Sequence, residues 1–289
     1  MKVLLTGASG LLGNYLDPAL RAAGATLIPV SYTTPPGVDG VSCDLTDAKA
    51  TAELLDRVNP DVIVHGAALT NVDLCESQPD LADRVNRLST ELLAAANTRL
   101  VLVSTDSVFD GARGNYSETD TPAPVNEYAR SKLRAEEHVL STPRGVCIRT
   151  NFFGRSRRGH GLAEWLLREF GAGRELVGFE DVVFSPLYCR DAAEAIAEIA
   201  LGDARGVLHL GGETVNKYDF GVLVAERHGF DPSLIRRGSI TDATLRAPRP
   251  LNTSLDSSRA RAVLGRTLRG FEEAVAAMAD ELEVDRHRL

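Results

Sequence analysis

Lysine is scarce in this sequence: of 32 basic residues only Lys2, Lys49, Lys132 and Lys217 are lysines, and the rest are arginines. No basic tract forms, and a formal net charge of -8 with a pI near 5.3 argues against a nucleic-acid surface built from clustered cations. The four cysteines, Cys43, Cys75, Cys147 and Cys189, lie far apart without a C-x-x-C pair. Neither a disulfide framework nor a zinc site is indicated, and each is expected to be a small buried hydrophobe. The histidines show no H-x-x-x-H spacing, so no metal site is expected. No apolar run approaches about 18 residues and no charged-then-apolar leader opens the chain. A cytoplasmic protein without a membrane partner is the expectation.

What is present is an ordinary globular composition. With 289 residues, 44% hydrophobic and 25% charged, the chain suffices for one large domain or for a domain with a smaller partner. It opens with Lys2 to Gly13, KVLLTGASGLLG. A short apolar run, glycines at 7, 10 and 13, and a helix-compatible segment to about Ala23 read as strand, tight turn and helix. Such a junction aims backbone N–H groups and the positive end of a helix dipole at whatever lies above the turn, which suits a pyrophosphate. Gly7 allows the turn, Gly10 a close phosphate, and Gly13 the packing of helix on strand. A purely structural connection between strand and helix would look the same.

Strands and helices then alternate. Ala25 to Val30 reads as a second strand, ending at Ser31-Tyr32-Thr33-Thr34. No carboxylate stands there to take the 2′-hydroxyl of NAD, and no arginine follows for a 2′-phosphate. The expectation is NADP held by Ser31, backbone and the distant Arg21, with NAD as an alternative; Ser31 to Gly37 can equally be a polar loop. Val41 to Leu45 reads as a third strand, a helix capped by Thr46 or Asp47 runs to Val58, and Asp61 to Val64 leads into small residues at Ala67 and Ala68. Pro79 to about Ala96 has a helical pattern with Leu81, Val85, Leu88, Leu92 and Leu93 on one face. Asn86 sits inside it at a cost in propensity, which implies a specific hydrogen bond. Leu100 to Val103 delivers Ser104 to Gly111 to the same sheet edge, and Val146 to Arg149 gives a sixth strand. This rhythm means a doubly wound parallel sheet with ligands beyond the strand carboxyl ends. After residue 153 the rhythm loosens. Residues 1–153, with 188–210, are expected to form the Rossmann-type lobe of an α/β fold, and 154–289 mainly a smaller substrate lobe.

A helix from about Val125 to Leu140 carries Tyr128 and Lys132, four residues apart and so on one face. With six Tyr and four Lys, chance supplies about 0.08 such pairs. A tyrosine is a weak acid–base group at neutral pH until a nearby cation favours its ionised form, and Lys132 can supply that charge. Thr105, at a strand end, can orient a carbonyl. Thr105, Tyr128 and Lys132 are therefore the candidate catalytic set for a hydride transfer in which Tyr128 passes the proton.

Together these features resemble an extended short-chain dehydrogenase/reductase. Ser104 to Gly111 (STDSVFDG), Ala67 to Asp73 (AALTNVD) and the Arg249-Pro250 to Asp256 stretch are similar to the dTDP-4-dehydrorhamnose reductase family. The resemblance implies a Rossmann fold holding NADPH or NADH, with Gly7, Ser9, Gly10, Leu11, Leu12, Ser31, Asp44, Leu45, Ala67, Ala68, Leu69, Tyr128 and Lys132 around it. It also implies a nucleotide-linked 4-keto-6-deoxy sugar as substrate, met by Ser107, Asn151, Arg190 and Arg249; a homodimer is compatible with it. Two departures stand out: Ser107 replaces a tyrosine of the family, and Asp181 to Leu187 replaces its D-Q-x-G-x-P-T-like segment. The family also contains the regulatory β subunit of methionine adenosyltransferase. A cofactor-holding regulatory subunit is thus an alternative, as is a sugar-nucleotide epimerase or dehydratase.

Overall fold

The computed structural model describes residues 1–33, 40–156, 159 and 161–286, with the side chains of residues 282–286 outside the description. The loop reading of Ser31 to Gly37 therefore lies, from residue 34 onward, outside the described residues. Residues 157, 158 and 160 also lie outside them.

Seven parallel strands form the main sheet. They are β1 (Lys2–Thr6), β2 (Thr26–Ser31), β3 (Val41–Ser42), β4 (Val62–His65), β5 (Arg99–Thr105), β6 (Val146–Thr150) and a last strand, Gly206–Leu210. Across the sheet the order is Gly206–Leu210, β6, β5, β4, β1, β2, β3. Winding reverses between β4 and β1, which opens a crevice beyond their carboxyl ends.

Every residue of β4, β5 and β6 is buried, because helices cover both faces of the sheet. On one face lie α1 (Gly13–Ala22), through Leu16 and Leu20, and the Ala-rich Cys189–Leu201 helix. On the other lie α2 (Ala48–Val58), through Leu54 and Val58, and the Glu127–Leu140 helix, through Ala135 and Val139. Asp47 caps α2 by accepting from the amides of Lys49 and Ala50, and Asn59 stops it in the left-handed region at φ 43°. β3 is shorter than its sequence reading, so Asp44 and Leu45 lie in the loop before α2.

The helix expected from Pro79 to about Ala96 is broken into Pro79–Ala82, a π turn over Asp83–Leu88, and Ser89–Ala94. The wide turn changes which residues face inward. Ala82, Asn86, Ser89, Thr90 and Leu93 are buried, whereas Leu81, Val85, Leu88 and Leu92 of the expected leucine face are only half-buried. The Ser89 and Thr90 hydroxyls donate to the carbonyls of Val85 and Asn86, four residues back, and such local bonds compete with regular helix.

Beyond β6 a second core gathers Phe153, Phe170, Phe184, Phe220, Val275 and Met278, between the helices Leu162–Gly171, Lys217–Arg227 and Phe271–Arg286. The Phe220 ring meets Phe153 at 5.2 Å and both Phe184 and Phe271 at 5.6 Å between centroids, within the range of favourable aromatic pairs. Here the strands form only two-stranded pieces, one of which joins Val183–Phe184 to Val215–Asn216. All four cysteines are free and buried. No helix among the described residues is long and apolar enough to cross a membrane.

Candidate active site

The turn after β1 has a geometry that only glycine fits at two positions. Gly7 has φ 71°, and a Cβ there would lie 2.6 Å from the Ala67 amide nitrogen; one on Gly13 would lie 2.2 Å from the Gly7 carbonyl oxygen. Gly10 closes the turn by donating its amide to Gly7 O at 2.9 Å. Among the described residues the amides of Leu11 and Leu12, just before α1, donate to no other group. Free amides at a helix start fit a phosphate group. Beneath the turn, the Thr6 hydroxyl accepts from the Ala67 amide at 3.2 Å and bonds His65 Nδ1 at 2.6 Å. His65 is fully buried, and burial together with the nearby Lys132 charge lowers its pKa to about 3. The ring is therefore a neutral tie between β1 and β4.

A cavity of about 900 Å³ runs from this turn along the carboxyl ends of the strands. Gly7, Ser9, Gly10, Leu11, Leu12, Ser31, Asp44, Leu45, Ala67, Ala68 and Leu69 line it, and so do Thr105, Ser107, Tyr128, Lys132 and Asn151. Asp44 accepts from the Thr46 amide at 2.9 Å and the Thr46 hydroxyl at 2.8 Å, which fixes its loop. Arg21, considered above for a 2′-phosphate, pairs with Asp17 at 2.7 Å and does not line the cavity.

At the other end of the cavity, β5 brings Thr105 beside Thr150 of β6. The Glu127–Leu140 helix begins where Asn126 accepts from the Ala129 amide at 2.9 Å, so Tyr128 falls in the first turn and Lys132 one turn later. Lys132 is 2% exposed and donates from Nζ to the Val103 carbonyl at 2.8 Å. Burial lowers its pKa to about 8, against the opposing charge of Glu136. Glu136 is itself held by Arg149 in an ion pair of 2.7 Å with both partners buried. The Tyr128 phenol is shifted upward, chiefly by burial and further by Asp106 and Cys75, while the Thr105 hydroxyl pulls it down. Sequence reasoning expected the neighbouring cation to favour phenolate. Here desolvation prevails over the Thr105 hydrogen bond, and the phenol stays protonated, as a proton donor must.

Asn86 makes the specific hydrogen bonds that its position implied. It accepts from Leu69 N at 2.8 Å and donates to Leu69 O at 3.2 Å and to Ser131 Oγ at 2.8 Å. It thereby joins the segment after β4 to the helix that carries Tyr128 and Lys132. Buried Asp106 ties the reacting end to the C-terminal part: it accepts from Thr253 Oγ1 at 2.7 Å, Asn151 Nδ2 at 3.1 Å, Thr105 Oγ1 at 3.2 Å and Ser107 Oγ at 3.3 Å.

Arg190 pairs with Glu281, and Arg249 with Asp73 at 3.0 Å; like Asp106 and Lys217, neither lines the cavity. Sequence reasoning missed Arg84, an exposed residue that lines the cavity and makes no hydrogen bond or ion pair among the described residues. Its signal was its place on the same face as Leu81 and Val85. Asp106 and Lys217 were also missed, although the scarcity of lysine singled out the second.

A phosphate cradle and a hydroxyl–phenol–ammonium set thus share one cavity. A family model for the RmlD substrate binding domain matches residues 1–284. The chain belongs to this family. The dTDP-4-dehydrorhamnose reductase of Mycobacterium tuberculosis is 34% identical, over 99% of this chain and 96% of that protein. A dTDP-4-dehydrorhamnose reductase structure from Clostridium acetobutylicum has a TM-score of 0.88 at 26% identity, over 98% of this chain and 100% of that one. MoeE5 in complex with UDP-glucose and NAD gives 0.82 at 28% identity, over 99% and 100%. Ser107 is a short, half-buried side chain turned to Asp106.

Proposed function

We propose that this chain is an NAD(P)H-dependent reductase of a nucleotide-linked 4-keto sugar, with a 4-keto-6-deoxy sugar as the first candidate. The observation that carries the reading is a single cavity with free amides of Leu11 and Leu12 at one end and Thr105, Tyr128 and Lys132 at the other. Relatives named for dTDP-4-dehydrorhamnose reduction support the substrate class. A nicotinamide dinucleotide, NADPH in the first place and NADH as the alternative, supplies the hydride when bound.

The chain's own residues do the rest. The glycine turn and the start of α1 hold the pyrophosphate, and Ser31, Asp44 and Leu45 take the adenosine end. Arg84 adds the cation that the tip of β2 lacks. Lys132 donates to ribose hydroxyls, and Thr105 orients the substrate carbonyl. Tyr128 gives its phenolic proton to the carbonyl oxygen as hydride reaches the carbon, and the phenolate is then reprotonated from solvent. Residues 1–153 with 188–210 serve the cofactor, and the remainder of 154–289 closes over the sugar.

The test is NADPH oxidation, followed by its absorbance, with a panel of dTDP- and UDP-linked 4-keto sugars. Turnover with at least one is expected. Tight NADPH binding without oxidation by any of them would sink the reductase reading and favour a regulatory subunit. Cofactor carried through purification and left unreduced by turnover would instead favour an epimerase or dehydratase.

A further inference from the structure

Lys217 is one of four lysines in the chain, and it stands in a costly place. It opens the Lys217–Arg227 helix, behind Asn216, which caps it by accepting from the Asp219 amide at 2.7 Å. A cation at a helix start opposes the helix dipole. Its Nζ lies 3.2 Å from the centroid of the Phe184 ring, a cation–π contact that holds the ammonium in place and strips it of water on that side. Among the described residues Nζ makes no hydrogen bond and no ion pair. The carboxylate whose charge it feels is Asp106, yet Asp106 is already supplied with donors by Thr253, Asn151, Thr105 and Ser107. A lysine present only to neutralise Asp106 would close to ion-pair distance.

Lys217 does not line the cavity itself; the chain path ties it, through two neighbouring segments, to the groups behind the reacting end. Residues 182–184 carry Lys217 on one edge: Val215 pairs with Phe184 and Asn216 with Val183, and the Lys217 amide donates to Val182 O at 2.9 Å. On the other edge Asn252 bridges to Val183, and the Thr253 amide donates to Val183 O at 2.9 Å. Thr253 then reaches Asp106, and Asp106 reaches Thr105. Ser107, also bonded to Asp106, has a short side chain that fills little space.

We propose that Lys217 is a specificity residue for the substrate: its ammonium, seated on Phe184, binds an oxyanion of the nucleotide sugar. The proposal rests on the nucleotide-sugar reading above. The oxyanion is a diphosphate oxygen or a carboxylate on the sugar, and one experiment separates the two.

The full chain, saturated with NADPH, is titrated calorimetrically with dTDP, with UDP and with UDP-glucuronate, as wild type, Lys217→Met and Lys217→Arg. Loss of a charged hydrogen bond predicts binding weaker by about 10- to 100-fold in Lys217→Met, with Lys217→Arg recovering most of it. NADPH affinity and melting temperature should stay near wild type in both variants. Equal weakening for all three ligands assigns the diphosphate, and weakening confined to UDP-glucuronate assigns the carboxylate. Wild-type affinity for every ligand in Lys217→Met overturns the role of Lys217 alone. Failure of the wild type to bind any of the three, with NADPH still held, overturns the nucleotide-sugar reading and this proposal with it.

Discussion

The sheet and the phenylalanine-packed region after it hold their shapes by different means. In the sheet, backbone pairing sets every position, and the filling is aliphatic on both faces. Strand ends then deliver groups at fixed places, as β1 delivers Gly7 and β5 delivers Thr105. In the later region the strands come in two-stranded pieces, and rings decide: Phe220 meets three other phenylalanines. The first arrangement suits a cofactor common to many enzymes, because the turn and the amides of Leu11 and Leu12 are offered by backbone. The second makes each substrate-side group depend on a particular side chain, as Lys217 depends on Phe184.

Tyr128→Phe should break the chemistry while leaving both regions folded. Removing a general acid lowers turnover by about 10²- to 10⁴-fold, with NADPH affinity and thermal midpoint close to wild type. An unchanged rate would take Tyr128 out of the mechanism. Phe220→Ala is the corresponding blow to the second region. The ring is fully buried, and deleting it should cost about 3 to 5 kcal/mol in urea unfolding. NADPH binding by the surviving folded protein should be weakened less than sugar-nucleotide binding. Equal loss of both would show that the two regions do not divide the work.

The same difference explains what could be read from sequence. Gly7, Gly10 and Gly13 were legible because a left-handed turn and a close helix admit no Cβ, and Tyr128 with Lys132 because helical spacing fixes their common face. Asn86 was legible as a helix residue that needed a partner. The inward face of its helix was not: a π turn over Asp83–Leu88 has no apolar periodicity of its own, so Leu81 and Val85 turn to the cavity. Arg190 and Arg249 were placed at the substrate by resemblance; the structure pairs them with Glu281 and Asp73, 91 and 176 positions away in sequence. Nothing local records such pairs. Lys217 likewise acquires meaning only when Phe184 is beneath it.

Buried Lys132 and half-buried Lys217 allow a finer comparison. Burial lowers both Lys132 and Lys217 to about 8, well under the usual lysine value of about 10.4. Lys132 is opposed by Glu136, with Cys147 also near, and Lys217 by Asp106. Because the folded pKa lies below the unfolded one, the folded state binds fewer protons between about pH 8 and pH 10.4. Stability contributed by these groups therefore rises with pH across that window, and their cost is fully present below it. Activity should move the other way. If both act as ammonium ions, kcat/KM for sugar reduction falls above pH 8 with a slope steeper than one, approaching about 100-fold per pH unit. In Lys217→Met the fall should ease to about tenfold per unit and start at the same pH, because Lys132 still titrates. A slope identical in the two proteins would confine the pH response to the sheet region and leave Lys217 without a part in substrate capture.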